Sequence, residues 1–223
     1  MSNPDPKDRL MNSMARYYPP ILVLLIIAAA VIADQAYCRM SRNPYDRGME
    51  NFGSQKYDAA VEDFQQALRR NPADIASRFE LGFSYHQKNW LEEALKEYDS
   101  AGSQALQIAH FAYHNKGCIL QNTGQQDLAV AAYRSSLLAN PKASNSLTNL
   151  LLIYESRNQY ADALRACQSY LEANPKDAAF LLKAGQISEK LNRRDWARQY
   201  YRDALALDAN SPAKDRLHAL SAK

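Results

Sequence analysis

His110 and His114 stand four residues apart, a spacing that sets two imidazoles on one face of a helix, as metal ligands sometimes are. No glutamate or third ligand follows at a useful interval, so no metal centre is expected there. Cys38, Cys118 and Cys167 lack the short paired spacing of a zinc site and are too few for a disulfide framework. Cys118 and Cys167 read as small apolar filler inside helices, while Cys38 borders an apolar segment, a context suited to acylation. The seven glycines form neither a dinucleotide fingerprint nor a phosphate loop, and no serine, histidine and acid fall into a motif. The chain is therefore read as non-enzymatic, with no catalytic residue, no cofactor and no metal.

Charge removes a further class of function. Of 27 basic and 24 acidic residues, five basic and three acidic ones lie in the first 42 positions, leaving 22 against 21 beyond them. A body so close to neutral has no basic excess for phosphate contacts, and no nucleic acid partner is expected.

What remains is the chemistry of surfaces, which depends on the elements that build them. With 47% apolar and 23% charged residues, the 223-residue chain is ordinary globular material. The string "YDAAVEDFQQALRRNP" at 57–72 returns as "QDLAVAAYRSSLLANP" at 126–141 and as "YADALRACQSYLEANP" at 160–175. Pro141 and Pro175 are 34 apart and Pro72 precedes Pro141 by 69, so another copy must lie between. It is "LEEALKEYDSAGSQAL" at 91–106, without the closing proline, and a fifth copy, "RDWARQYYRDALALDA", occupies 194–209. Each copy is an amphipathic helix preceded by an earlier helix, which Gly48, Gly82, Gly117 and Gly185 mark. The fourth unit has Leu151 at that place.

One helix pair of this size cannot bury its own apolar stripe, so the copies must cover one another in an α-solenoid. Ala60, Ala94, Ala129, Ala163 and Ala197 are small enough for close helix approach. Phe64, Tyr98 and Tyr133 are expected to plug the gap to the next unit, and Cys167, a smaller plug, to leave the fourth joint looser. Asn71, Asn140 and Asn174 are expected to take a left-handed turn at a helix end, with the following proline preventing continuation.

This pattern of small residues, an aromatic in the second helix and a terminal proline resembles the tetratricopeptide repeat. The resemblance covers about 43–211 and implies an all-α fold of about five helix pairs, at about 43–74, 75–109, 110–143, 144–177 and 178–211, in a domain spanning 39–211. Beyond it, 212–223 carries Ala213, Leu217 and Leu220 at helical spacing, the pattern of a capping helix that closes the stack.

Residues 1–16 form a polar leader, and 17–38 reads as a transmembrane helix or a signal segment. The apolar block from Pro19 to Ala33 rises only about 22 Å as helix, but counting from Tyr17 to Tyr37 approaches the roughly 30 Å of a hydrocarbon core. Tyrosines at both ends suit the two interfaces. The expectation is a single-pass protein of a bacterial inner membrane with its repeats in the periplasm; cleavage near Ala33 would instead release a soluble adaptor.

The resemblance further implies that the first helices line a concave groove that receives a protein or peptide. The residues expected to face it are Tyr45, Met49, Phe52, Phe79, Phe83, Phe111, His114, Asn115, Asn149 and Lys183. Aromatic anchors in a concavity are the usual hot-spot chemistry. In some relatives, asparagines at the place of Asn115 and Asn149 bond a peptide backbone; two such rungs are few, and plain surface polarity is the simpler expectation. The lysines and arginines with which some relatives clamp chaperone tails are absent: Tyr45, Met49, Ala76, Glu80 and Asn115 stand at the equivalent places. The reading is a membrane-anchored scaffold or adaptor that assists assembly of a membrane or envelope complex. A permanent structural subunit of such a complex is the alternative.

Overall fold

The structure, a computed structural model, describes residues 24–25, 28–33 and 42–221. Five helical hairpins follow one another from residue 44: α1 (Pro44–Gly53) with α2 (Tyr57–Arg70), α3 (Ile75–Gln87) with α4 (Leu91–Gln104), α5 (Leu106–Asn122) with α6 (Gln126–Ala139), α7 (Ser144–Ser156) with α8 (Tyr160–Ala173), and α9 (Ala178–Lys190) with α10 (Arg194–Leu207). A last helix, α11 (Ala213–Ser221), lies against α10 with Ala213 and Leu220 buried. There is no strand among the described residues.

Side chains start three of the first helices. Asn43, Asp74 and Asp177 accept bonds from the backbone N–H groups of Tyr45, Ser77 and Phe180, satisfying donors that a helix start leaves open. The turn inside each hairpin is the same five times. A residue with positive φ (Gln55, Asn89, Gly124, Asn158 and Asn192) follows the first helix, and the next N–H reaches back to the helix, as from Lys56 to the Asn51 carbonyl at 2.8 Å. This is the left-handed helix ending that asparagine and glycine tolerate. The asparagines before the prolines behave otherwise than expected: Asn71 and Asn140 have φ of −139° and −143°, extended backbone, and Asn174 has −135°. The proline ring crowds the residue before it and pushes it towards extended conformations.

The aromatic plugs also differ from expectation, because each ring packs inside its own hairpin. Phe64 lies over Gly48, Tyr98 over Gly82, Tyr133 over Gly117 and Tyr201 over Gly185, so close that a methyl group on Gly48 or Gly117 would stand 2.6 or 2.5 Å from ring carbons. The fourth hairpin exchanges the sizes, with Leu151 in the place of glycine and Cys167 in the place of the ring. Both are essentially fully buried, so the space is filled from the first helix instead of the second, and α7 and α8 approach each other less closely than the helices of the other hairpins, as the smaller plug implies.

The missing proline after α4 has a structural consequence. Ala105 alone separates α4 from α5, serving as the end of one helix and the start of the next, so α5 opens at Leu106, ahead of the expected 110. Gly102 in α4 makes room there for the Tyr113 ring of α5.

Residues 24–25 and 28–33 are helical, and Leu24, Leu25, Val31 and Ile32 are each at least half exposed. No helix of the described residues is long and apolar enough to cross a membrane. The leader 1–16, Cys38 and most of the 17–38 segment lie outside the described residues.

Candidate protein-binding face

The first helices α1, α3, α5, α7 and α9 form one face of the stack, and their sequences are in register on Gly48, Gly82, Gly117, Leu151 and Gly185. Two places before these stand Asp46, Glu80, Asn115, Asn149 and Lys183; four places after stand Phe52, His86, Gln121, Glu155 and Glu189.

Much of the expected groove lining is spent on packing within and between hairpins. Phe52 and Phe83 cover each other with ring centroids 5.1 Å apart, and Tyr45 leans on Phe64 at 5.9 Å. Phe79 bridges Tyr98 at 5.7 Å and Phe111 at 6.5 Å. Phe111 remains 54% exposed, Leu152 53% and Met49 39%, so these three leave more of their apolar surface in water than the half-buried Phe52, Phe79 and Phe83. Leu152 stands one place after the buried Leu151, as Met49 does after Gly48, a register that sets it on this face.

The asparagines are engaged within the protein. Asn115 donates to the Tyr98 hydroxyl at 3.4 Å and Asn149 to the Tyr133 hydroxyl at 3.1 Å, so each ties its helix to the ring of the preceding hairpin. The ring hydroxyls donate in turn within their own unit, Tyr133 to Gln121 Oε1 at 2.8 Å and Tyr201 to the Glu189 carboxylate. Burial raises both phenols well above the ordinary tyrosine value. Lys183 is likewise occupied, 2.8 Å from Glu155 Oε2.

His114 points into a polar chain between the third and fourth hairpins. Its Nδ1 is 2.9 Å from Ser146 Oγ, which is 2.7 Å from Ser136 Oγ, and Ser136 donates to the His110 carbonyl at 2.7 Å. Its Nε2 lies 3.6 Å from Cys118 Sγ. Burial, helped by neighbouring His110, lowers the His114 pKa below the ordinary imidazole value and favours the neutral ring. Ser136 and Ser146 are fully buried, and the sequence signal for them was weak: a small polar residue on an otherwise apolar stripe. Among the described residues, no group of three or more histidines, cysteines or acids could hold a metal.

Towards the far end, Thr148, Leu152, Phe180 and Lys183 border a hollow of about 280 Å³, beside another of about 550 Å³ bordered by Glu155, Glu189 and Arg216. A hollow of about 890 Å³ lies elsewhere, between α6 and α8. Its rim carries both signs of charge, with Asp162 and Arg165 paired to each other, and favours no partner chemistry.

A tetratricopeptide repeat profile matches residues 45–105, 114–178 and 152–212. The photosystem I assembly protein Ycf3 of Prochlorococcus marinus (strain MIT 9215) is 40% identical over 48 residues, 22% of this chain and 28% of that one. Its counterpart in Synechococcus sp. (strain CC9311) is 33% identical over 86 residues, 37% of this chain and 50% of that one. The chain thus spans half or less of the length of these relatives. Two solved structures share the architecture. The C-terminal part of a TPR repeat-containing protein from Cytophaga hutchinsonii superposes with a TM-score of 0.62 at 19% identity, over 87% of this chain and 79% of that one. YrrB, described as a TPR protein with an unusual peptide-binding site, does so at 0.53 and 15%, over 86% and 97%. Likeness at these identities speaks for the fold. Five hairpins in register, each with its ring over a small residue or the reverse, and a profile that recurs along most of the stack carry one conclusion: the chain belongs to the tetratricopeptide repeat family, whose members act as protein-interaction scaffolds.

Proposed function

We propose that this chain is a scaffold or adaptor that holds a segment of a partner protein on the face of its first helices and assists assembly of a membrane-associated complex. The carrying observation is the exposure of Met49, Phe111 and Leu152 on that face in three different hairpins, where the surrounding aromatics are already packed. Apolar groups left in water beside a rigid support are the usual anchors for a partner side chain. The name of Ycf3, an assembly protein for photosystem I, supports an assembly role for a related repeat array.

The test is crosslinking in native membranes with mass spectrometry, repeated on chains carrying Phe111→Ala and Leu152→Ala. Partner crosslinks should fall while the helical circular-dichroism spectrum stays the same; undiminished crosslinks would refute the face. Phe83 is a poor probe, because its removal also uncovers Phe52.

Residues 17–38 tether the scaffold to a bacterial inner membrane, with the repeats on the periplasmic side. The apolar run from Pro19 to Ala33 and the exposed side chains of Leu24, Leu25, Val31 and Ile32 support this. Alkaline carbonate should leave the protein in the membrane pellet, and protease added to spheroplasts should digest the repeats. Release by carbonate would remove the tether, and protection from protease would reverse the side.

A further inference from the structure

The row Asp46, Glu80, Asn115, Asn149, Lys183 has a repeating use. Asn115 and Asn149 bond the hydroxyl of the preceding hairpin's ring, and Lys183 pairs with Glu155 of the preceding first helix. At the register of Glu80 the preceding ring is Phe64, which has no hydroxyl. Glu80 is half-buried, and its carboxylate makes no hydrogen bond or ion pair among the described residues. The basic residue beside it in sequence, Arg78, is directed elsewhere, to Glu97 at 3.3 Å and the Pro72 carbonyl at 2.8 Å. Half-buried Tyr45 of α1 is close enough to feel the carboxylate's charge, as is Tyr98 of α4, whose ring is fully buried and packed on by Phe79. Burial alone raises the Glu80 carboxyl above its ordinary value, the mark of a charge without a local counterpart.

We infer that Glu80, with half-buried Tyr45 beside it, is the subsite for an arginine or lysine side chain of the bound partner segment. This rests on the reading of the first-helix face as the binding face. A guanidinium or ammonium group satisfies both parts of the site: it pairs with the carboxylate and is attracted to the face of the tyrosine ring. The row also gives the bound segment a polarity. Acids at Asp46 and Glu80 give way to amides and then to Lys183, so the partner's basic residue sits over the first two hairpins.

Four peptide pools serve as probes, each nine residues long, capped at both ends and labelled with a neutral fluorophore. They share mixed small and apolar flanks and differ only in a central arginine, lysine, citrulline or glutamate. Fluorescence polarisation is read with the full chain in neutral detergent at low salt. The arginine pool should bind about tenfold more tightly than the citrulline pool, and Glu80→Gln should bring the two within about twofold. The exposed Glu92→Gln should leave the preference intact. In the unsubstituted chain, added salt should erode the preference, a readout that does not depend on how the variant folds. Equal binding of arginine and citrulline, or a preference that survives Glu80→Gln, overturns the subsite. If all pools bind alike and Phe111→Ala weakens them, the face stands and the subsite falls; if none binds, both fall.

Discussion

Exchanging the fourth hairpin's pair of sizes for that of its neighbours tests the packing logic of the stack. In four hairpins a glycine on the first helix receives an aromatic ring from the second; in the fourth, Leu151 fills the space that Cys167 leaves. Leu151→Gly alone should cost about 3–5 kcal/mol for the cavity, plus about 1 kcal/mol for glycine inside a helix. Cys167→Tyr alone drives a ring into the leucine, and overpacking of this kind costs about 1–3 kcal/mol or more. Together the two substitutions recreate the arrangement around Gly117 and Tyr133, leaving mainly the glycine penalty of about 1 kcal/mol. The introduced hydroxyl would also come near Glu155 and Lys183, by register with the bonds Tyr133 makes to Gln121 and Asn149. The double variant should therefore be more stable than either single one, with a coupling of about 4–8 kcal/mol in its favour. Urea unfolding of the four chains, followed by circular dichroism, measures it. Additive losses, or a harmless Cys167→Tyr, would show that the exchange of sizes is not what fills this joint.

Other consequences can be checked on the same material. An added methyl at Gly82 would stand 3.1 Å from the Tyr98 ring, against 2.5 Å from the Tyr133 ring at Gly117. Gly82→Ala should thus shift stability by less than about 1 kcal/mol, with helix propensity offsetting strain, whereas Gly117→Ala should lose about 1–3 kcal/mol in thermal melts. In a Cys38→Ser chain, a thiol reagent should modify half-exposed Cys118 in the folded protein and reach Cys167 only on unfolding, since burial pushes the Cys167 thiol up to about 12; simultaneous reaction of both would contradict the packing. His86, His110 and His114 are all lowered by burial from 6.5, so the unfolded chain takes up protons first and stability should fall as pH drops below that value, levelling off once the folded-state pKa values are passed. Glu80, raised from 4.5, acts in the opposite sense just above that value, where stability declines as pH rises. Urea midpoints at about pH 7.5 and about pH 5.5 test the histidine effect, and a midpoint that does not fall would refute it.

The repeat was legible because alanine and the ring recur at one period, and their sizes are a direct demand of close helix packing. Local geometry was less so. Asn-Pro looked like a left-handed stop, yet the left-handed residues sit inside the hairpins, at Asn89, Asn158 and Asn192, where no proline follows. The start of α5 was missed because a lost proline removes a boundary marker without saying where the next helix begins. On the binding face, residue type suggested Phe83, His114 and Asn149 as lining. Their partners Phe52, Ser146 and Tyr133 lie in other helices, and only the folded chain brings them close. Glu80 was legible as a groove position, and its lack of a hydroxyl partner follows from Phe64 standing where most later units have tyrosine.

Because ring and recess belong to the same hairpin, a duplicated stretch of gene one period long carries both halves of the fit with it. The asparagine-to-hydroxyl tie crosses from one copy to the next and is inherited intact only where a unit holds both partners. The third unit, with Asn115 and Tyr133, does so; tandem copies of it could follow one another without a mismatch, whereas copies of the fourth would set Asn149 against a cysteine.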